Sequence, residues 1–160
     1  MEVKIMTIQT KHFGELNIDE GKIITFPEGI PGFPEHKKYI FIFDEEDENS
    51  PFCWLQSIDD GNIAFALINP LSIYPQYAPQ VDEGTVLESL GEANPENLAV
   101  YAIVVVPEDI TQMTANLKAP LIINTKTKLG MQVIAENDDY EVKYKIFNDL
   151  QESTSTKEGV

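Results

Sequence analysis

Cys53 is the only thiol in this 160-residue chain, and a catalytic role for it would need a histidine close enough to take its proton. The two histidines, His12 and His36, stand well upstream, and nothing in the order of residues brings either one to it. The plainer reading makes Cys53 a small buried hydrophobe beside Trp54, because free cysteine is among the most buried residue types. The same three residues are too scattered for a zinc site. Asp44-Glu45-Glu46-Asp47-Glu48-Asn49-Ser50 superficially offers oxygen ligands for Ca²⁺, but it lacks the sixth-position glycine and the terminal bidentate glutamate of an EF-hand. It reads as a solvated charged loop. No glycine-rich loop precedes a Lys-Ser/Thr pair, and no dinucleotide fingerprint occurs. Asp and Glu number 27, so chance carboxylate pairs are inevitable, and nothing sets a particular pair across a cleft. No catalytic, metal or cofactor constellation stands out.

Two stretches are unusual for a plain scaffold. Met113-Thr114-Ala115-Asn116-Leu117-Lys118-Ala119-Pro120 leads small and amide side chains into the apolar run Leu121-Ile122-Ile123-Asn124. Such amides and hydroxyls commonly bond local backbone, which is the alternative to a recognition role. Phe26-Pro27-Glu28-Gly29-Ile30-Pro31-Gly32-Phe33-Pro34 is too rich in Pro and Gly for helix or ladder strand, so it is expected to be a rigid ordered loop. A rigid loop loses little entropy when a partner docks.

The elements that must position these stretches are mostly strands. Ile and Val together number 28 against 11 Leu, in short runs punctuated by Gly, Pro, Asn and Asp. Strands are expected over Val3–Gln9, Gly14–Asp19, Ile23–Phe26, Tyr39–Phe43, Phe52–Ile58 and Asn62–Ile68. Leu98–Val106, Pro120–Thr125, Met131–Glu136 and Glu141–Asn148 complete the set. Asp19-Glu20-Gly21-Lys22 looks like a hairpin turn between the second and third, and Tyr39–Phe43 like a strand buried on both faces. Ile73–Pro79 is a Pro-fixed surface loop with two tyrosines. One helix is expected from about Asp82 to Leu90, capped by Asp82 or Thr85, with Val86, Leu87 and Leu90 on one face and Gly91 as its stop. About ten short strands and one short helix predict an all-β chain, a small antiparallel β-barrel-like domain over 1–150. Residues 151–160 have almost no apolar content and are expected to be a disordered tail.

Composition narrows the partners. Acids exceed bases by 16, every base is Lys, and Arg is absent, so direct nucleic-acid binding is a poor fit. A basic protein surface is the expected polar partner. A single cysteine, no charged-then-apolar leader and no membrane-length apolar run lead to the expectation of a reducing cytoplasm. A capped barrel of this charge is expected to remain monomeric.

The ordered set Phe13-Gly14-Glu15 with Ile18, Ile24-Thr25-Phe26-Pro27-Glu28-Gly29-Ile30-Pro31-Gly32-Phe33, Phe52, Trp54-Leu55-Gln56-Ser57, Ala64-Phe65, Asn69-Pro70 and Tyr77 resembles the FliW family of bacterial flagellar assembly factors. Met113-Thr114-Ala115-Asn116-Leu117, Ala119-Pro120, Ile123-Asn124, Gly130, Gln132-Val133 and Tyr140 continue the likeness to about residue 148. The resemblance implies a cytoplasmic, non-enzymatic protein without cofactor. It also implies one that binds flagellin and, when free of it, binds the translational repressor CsrA and relieves repression of the flagellin message.

Within those motifs Gly14, Gly29, Gly32 and Gly130 are expected to serve backbone geometry, and Trp54, Phe65 and Ile123 to fill the core. The candidates for partner contact are Phe33, Tyr74, Tyr77, Met113, Asn116 and Leu117, on loops where aromatic, Met and amide groups can be presented. The acidic loop Asp44–Glu48 is a candidate for steering. One competing reading is a ligand-binding β-barrel with Trp54, Tyr101, Gln56, Asn116 and Asn124 lining its cavity. Another is a hydrolase built on a carboxylate pair.

Overall fold

Along Phe52–Ser57, Cys53 and Leu55 point into one core while Trp54 and Gln56 point to the other side of the sheet, the period of two that a strand imposes. The computed structural model describes residues 4–43, 49–91 and 94–150. The strands are β1 (Ile5–Thr10), β2 (Gly14–Asp19), β3 (Ile24–Thr25), β4 (Lys38–Phe43), β5 (Phe52–Ser57) and β6 (Ala64–Ile68). After helix α1 (Glu83–Leu90) come β7 (Leu98–Val105), β8 (Thr114–Ala115), β9 (Leu121–Asn124), β10 (Leu129–Gln132) and β11 (Tyr144–Lys145). The order β7-β6-β5-β4-β3-β10-β9 returns to β7, which closes a seven-stranded barrel. The all-β expectation therefore holds.

Closure depends on two pairings that short-range signals do not announce. β3 and β10 run parallel, the one exception to the antiparallel pattern among the described strands, with the Thr25 amide donating to the Lys128 carbonyl at 2.8 Å. β7 divides one edge between two partners, Leu98–Tyr101 to β9 and Val104–Val105 to β8. Tyr39, Leu55, Leu67, Leu121 and Ile123 fill the barrel with Phe26 and Ile30 from the Pro/Gly loop. That loop plugs one end of the barrel. Gly29 takes φ 71° there, and a Cβ on it would lie 2.6 Å from Pro34 Cα.

Several expectations are corrected. Asp19–Lys22 is not a hairpin turn: β2 pairs with β1, and a 3-10 turn over Glu20–Lys22 passes the chain to β3, which pairs with β4. β4 is buried on both faces only at Tyr39 and Ile40, and Phe43 is 59 % exposed. In α1, Val86 and Leu90 are buried but Leu87 is not. The strand expected over Glu141–Asn148 is reduced to Tyr144–Lys145, with residues 147–150 helical. Gly130 lies inside β10 without the positive φ of Gly14, Gly29 and Gly32, so it serves close packing and not a special backbone conformation. Trp54 is 38 % exposed, because its phase faces away from the interior, and Phe13 packs edge-on against it at 5.7 Å. Val3, the acidic loop 44–48 and the tail 151–160 lie outside the described residues.

Helix α1 matches its local signals. Asp82 Oδ1 accepts from the Gly84 amide at 3.1 Å and Oδ2 from the Thr85 hydroxyl at 2.9 Å, while Gly91 ends the helix at φ 70°. Val86 and Leu90 then cover Ile122 and Val133 on the outside of the barrel.

Candidate partner interface

The contact candidates begin on the connection after β6. Asn69 Oδ1 accepts from the Leu71 amide and caps a 3-10 turn over Pro70–Ser72, after which the Tyr77 amide donates to the Tyr74 carbonyl. This folding turns Tyr77 inward. Its hydroxyl donates to the Leu117 carbonyl at 2.6 Å, and burial, with Tyr140 beside it, pushes its ionisation well up from the ordinary tyrosine value. Tyr140 lies 4.8 Å from the Tyr77 ring and accepts from the Ala78 amide at 2.8 Å. Tyr74 meets Tyr140 and Tyr144 edge-on at 5.6 and 5.7 Å. Four tyrosines thus close a second core outside the barrel, over Ile68, Ala102, Val104 and Ala115.

The second stretch joins the same core. The Asn116 amide donates to the Ile103 carbonyl, its side-chain oxygen accepts from the Ala119 amide at 2.9 Å, and the Leu117 amide donates to the Glu141 carbonyl. The amide side chain therefore does the local backbone work weighed as the alternative. Leu117 is 0 % exposed and Tyr77 is buried, whereas Tyr74, Met113 and Asn116 are half-buried. Met113 packs on the tyrosine core, and the Ile146 amide donates to its carbonyl. Five of the six candidates thus gather around one cluster. Phe33 lies apart, edge-on to Phe65 at 5.4 Å at the plugged end of the barrel.

Sequence reasoning missed part of this face. Ile42, Trp54, Ala66 and Val104 stand in register across β4, β5, β6 and β7, and the row continues through Ala115 to Tyr144. Cross-strand partners share a face, so this row links exposed Trp54 to the tyrosine core. The alternation in β5 signals the change of side at Trp54, but not which side is covered. Acids stand on the elements that carry the cluster: Asp109 caps the turn before Met113, and the carboxylates of Asp149 and Glu141 lie near Tyr144. Thr111 hydrogen bonds hold the Asp109 carboxyl below its ordinary value, so it is anionic. An apolar, aromatic and Met-bearing surface edged with carboxylates is suited to contact with a basic protein.

The cavity of the competing reading does not assemble. Trp54 is on the outer face, and Gln56 Nε2 donates to the Ser57 and Ile63 carbonyls, both at 3.0 Å. Asn124 Nδ2 donates to the Leu90 carbonyl at 2.8 Å, tying α1 to the barrel. Only Tyr101 of that set lines the barrel interior. Among the described residues, no group of three or more His, Cys, Asp or Glu is placed to hold a metal ion. No described helix is long and apolar enough to cross a membrane.

Comparison with known proteins agrees with this architecture. The family model described as FliW protein matches residues 7–146. A flagellar assembly factor FliW from Lachnoclostridium phytofermentans is 44 % identical over 155 residues, covering 96 % of this chain and 99 % of the relative. One from Alkaliphilus metalliredigens is 46 % identical over 146 residues, covering 91 % of this chain and 89 % of its own. A crystal structure of the flagellar assembly factor FliW superposes with a TM-score of 0.79 at 37 % identity, covering 89 % of this chain and 97 % of that one.

Proposed function

The chain belongs to the FliW family, and from that premise we propose that it is a cytoplasmic, monomeric, non-catalytic partner switch in flagellar assembly. In this reading it binds flagellin and, when flagellin is scarce, binds CsrA and relieves repression of the flagellin message. The observation that carries the proposal is the likeness to flagellar assembly factors along the whole barrel. The surplus of 16 negative charges supports it, because such a field steers a basic RNA-binding protein to the surface and, after docking, repels RNA phosphates. Tyr74, Met113, Asn116 and Phe33 offer side chains to partners, and buried Tyr77 and Leu117 hold that surface in shape from beneath.

The test mixes the purified protein with CsrA and flagellin of its own organism on size-exclusion chromatography, singly and together. CsrA is expected to co-elute and flagellin to displace it. Tyr74→Ala and Met113→Ala are expected to weaken at least one complex about tenfold or more, with the fold intact by circular dichroism. If neither partner co-elutes at micromolar concentration and low salt, the partner switch is wrong for this chain.

A further inference from the structure

The two ends of the barrel are finished differently. Phe26 and Ile30 close one end, with Phe33 capping it against Phe65. At the other, Phe43 stacks on Phe41 at 5.7 Å with an interplanar angle of 20°, and Phe41 packs on Tyr101 at 5.1 Å, so three rings form a wall. Ile24, Ala99 and Ile123 continue the apolar lining of a cavity of about 420 Å³. That size is at the low end for small-molecule sites, enough for one alkyl chain or a fused ring system.

Among the described lining residues the polar side chains are Lys22, Lys128, Thr125 and Tyr101, and none of them is a carboxylate. In a chain with 27 acids, no Arg and 11 lysines, the described lining residues thus carry the sign opposite to the molecule's. Lys128 is also the one described non-glycine residue with positive φ, at 62°, a conformation unfavourable for a residue with a Cβ. It places the ammonium at the rim, where Nζ donates to the Thr125 carbonyl at 2.7 Å. An ammonium has three donors, so two remain for a ligand.

We infer that the open end of the barrel binds a small organic monoanion with an apolar body, its head between Lys22 and Lys128 and its body against the Phe43–Phe41–Tyr101 wall. The apolar lining supplies affinity and the two ammonium groups select an anionic head. This site shares no lining residue with the tyrosine core and does not depend on the partner-switch reading.

The experiment titrates the full-length protein with 1-anilinonaphthalene-8-sulfonate by fluorescence and then competes the dye with decanoate and with decan-1-ol. Saturable enhancement is expected, with decanoate displacing the dye at about tenfold lower concentration than the alcohol. Lys22→Gln combined with Lys128→Gly should bring the two competitors level. Glycine adopts the required φ freely, so this variant keeps its fold, which its melting temperature checks. In ¹⁵N-resolved NMR, decanoate should shift the amides of Phe41, Phe43, Ala99 and Tyr101. The proposal fails if the dye shows no saturable site, if the alcohol competes as well as decanoate against the wild type, or if the shifts fall on the Trp54 face.

Discussion

Tyr39 and Tyr77 are both buried tyrosines in aromatic clusters, but their hydroxyls differ. That of Tyr77 is bonded to the Leu117 carbonyl, and that of Tyr39 finds no partner among the described residues. Removing one partner of a buried hydrogen bond orphans the other, whereas removing a hydroxyl that bonds nothing orphans nothing. Tyr77→Phe is therefore expected to cost about 1–3 kcal/mol in urea unfolding, and Tyr39→Phe to be neutral or stabilising. Burial raises the Cys53 thiol from its ordinary 9.0 to about 12, and burial, then Asp59, raises Tyr39 from 10.0 to about 12. Both groups favour the fold while protonated. Their contribution is complete below pH 9 and is lost as the pH climbs from there toward about 12, because the unfolded chain ionises first. Urea midpoints should fall between pH ~8 and ~10.5, and Cys53→Ala should flatten part of that fall. Constant midpoints would contradict the assigned burial.

At the scale of elements, α1 and β10 depend on different physics. Asp82→Ala removes a side chain that accepts from both the Gly84 amide and the Thr85 hydroxyl, and should cost about 1 kcal/mol. Gly130 is in β10 because of space: a Cβ there would lie 2.7 Å from Phe26 Cζ and 2.8 Å from Ile123 Cδ1. Gly130→Ala should therefore cost roughly 1–3 kcal/mol through overpacking of the barrel. Denaturation midpoints distinguish the two if far-UV circular dichroism confirms that both variants fold. The helix was legible because its cap, buried spacing and terminal glycine are all local. The turn signal at Asp19–Lys22 shows that the chain bends, not which strand it meets. β2 is already paired with β1 when the chain reaches that turn.

For the whole molecule, charge is the property that acts at a distance. A net charge of −16 predicts that association with a basic partner slows steeply as salt rises from ~50 to ~500 mM, with a smaller change in dissociation rate. Stopped-flow mixing measures both rates, and a salt-independent association rate would remove steering from the mechanism. The candidate surface was half legible at this scale. Loop residue types pointed to Tyr74, Met113 and Asn116, but Tyr77 and Leu117, chosen for the same reasons, are buried. Trp54 shows the converse, read as core yet on the surface. Periodicity separates the two sides of a strand without saying which is covered.

What the amino-acid order determined by itself was therefore everything carried by near neighbours. That includes the alternation that makes strands, the capped helix at 83–90, the Pro/Gly run of Phe26–Pro34 that forms no helix or long strand, the acidic field and the motifs shared with FliW. The tertiary structure alone decided that β3 meets β10 in parallel, that β7 divides its edge between β8 and β9, and that one barrel end is plugged while the other opens on Phe43. The physical reason is common to all three. Their free energy comes from burying faces distant in sequence against one another, and a face has no inside until its partner arrives.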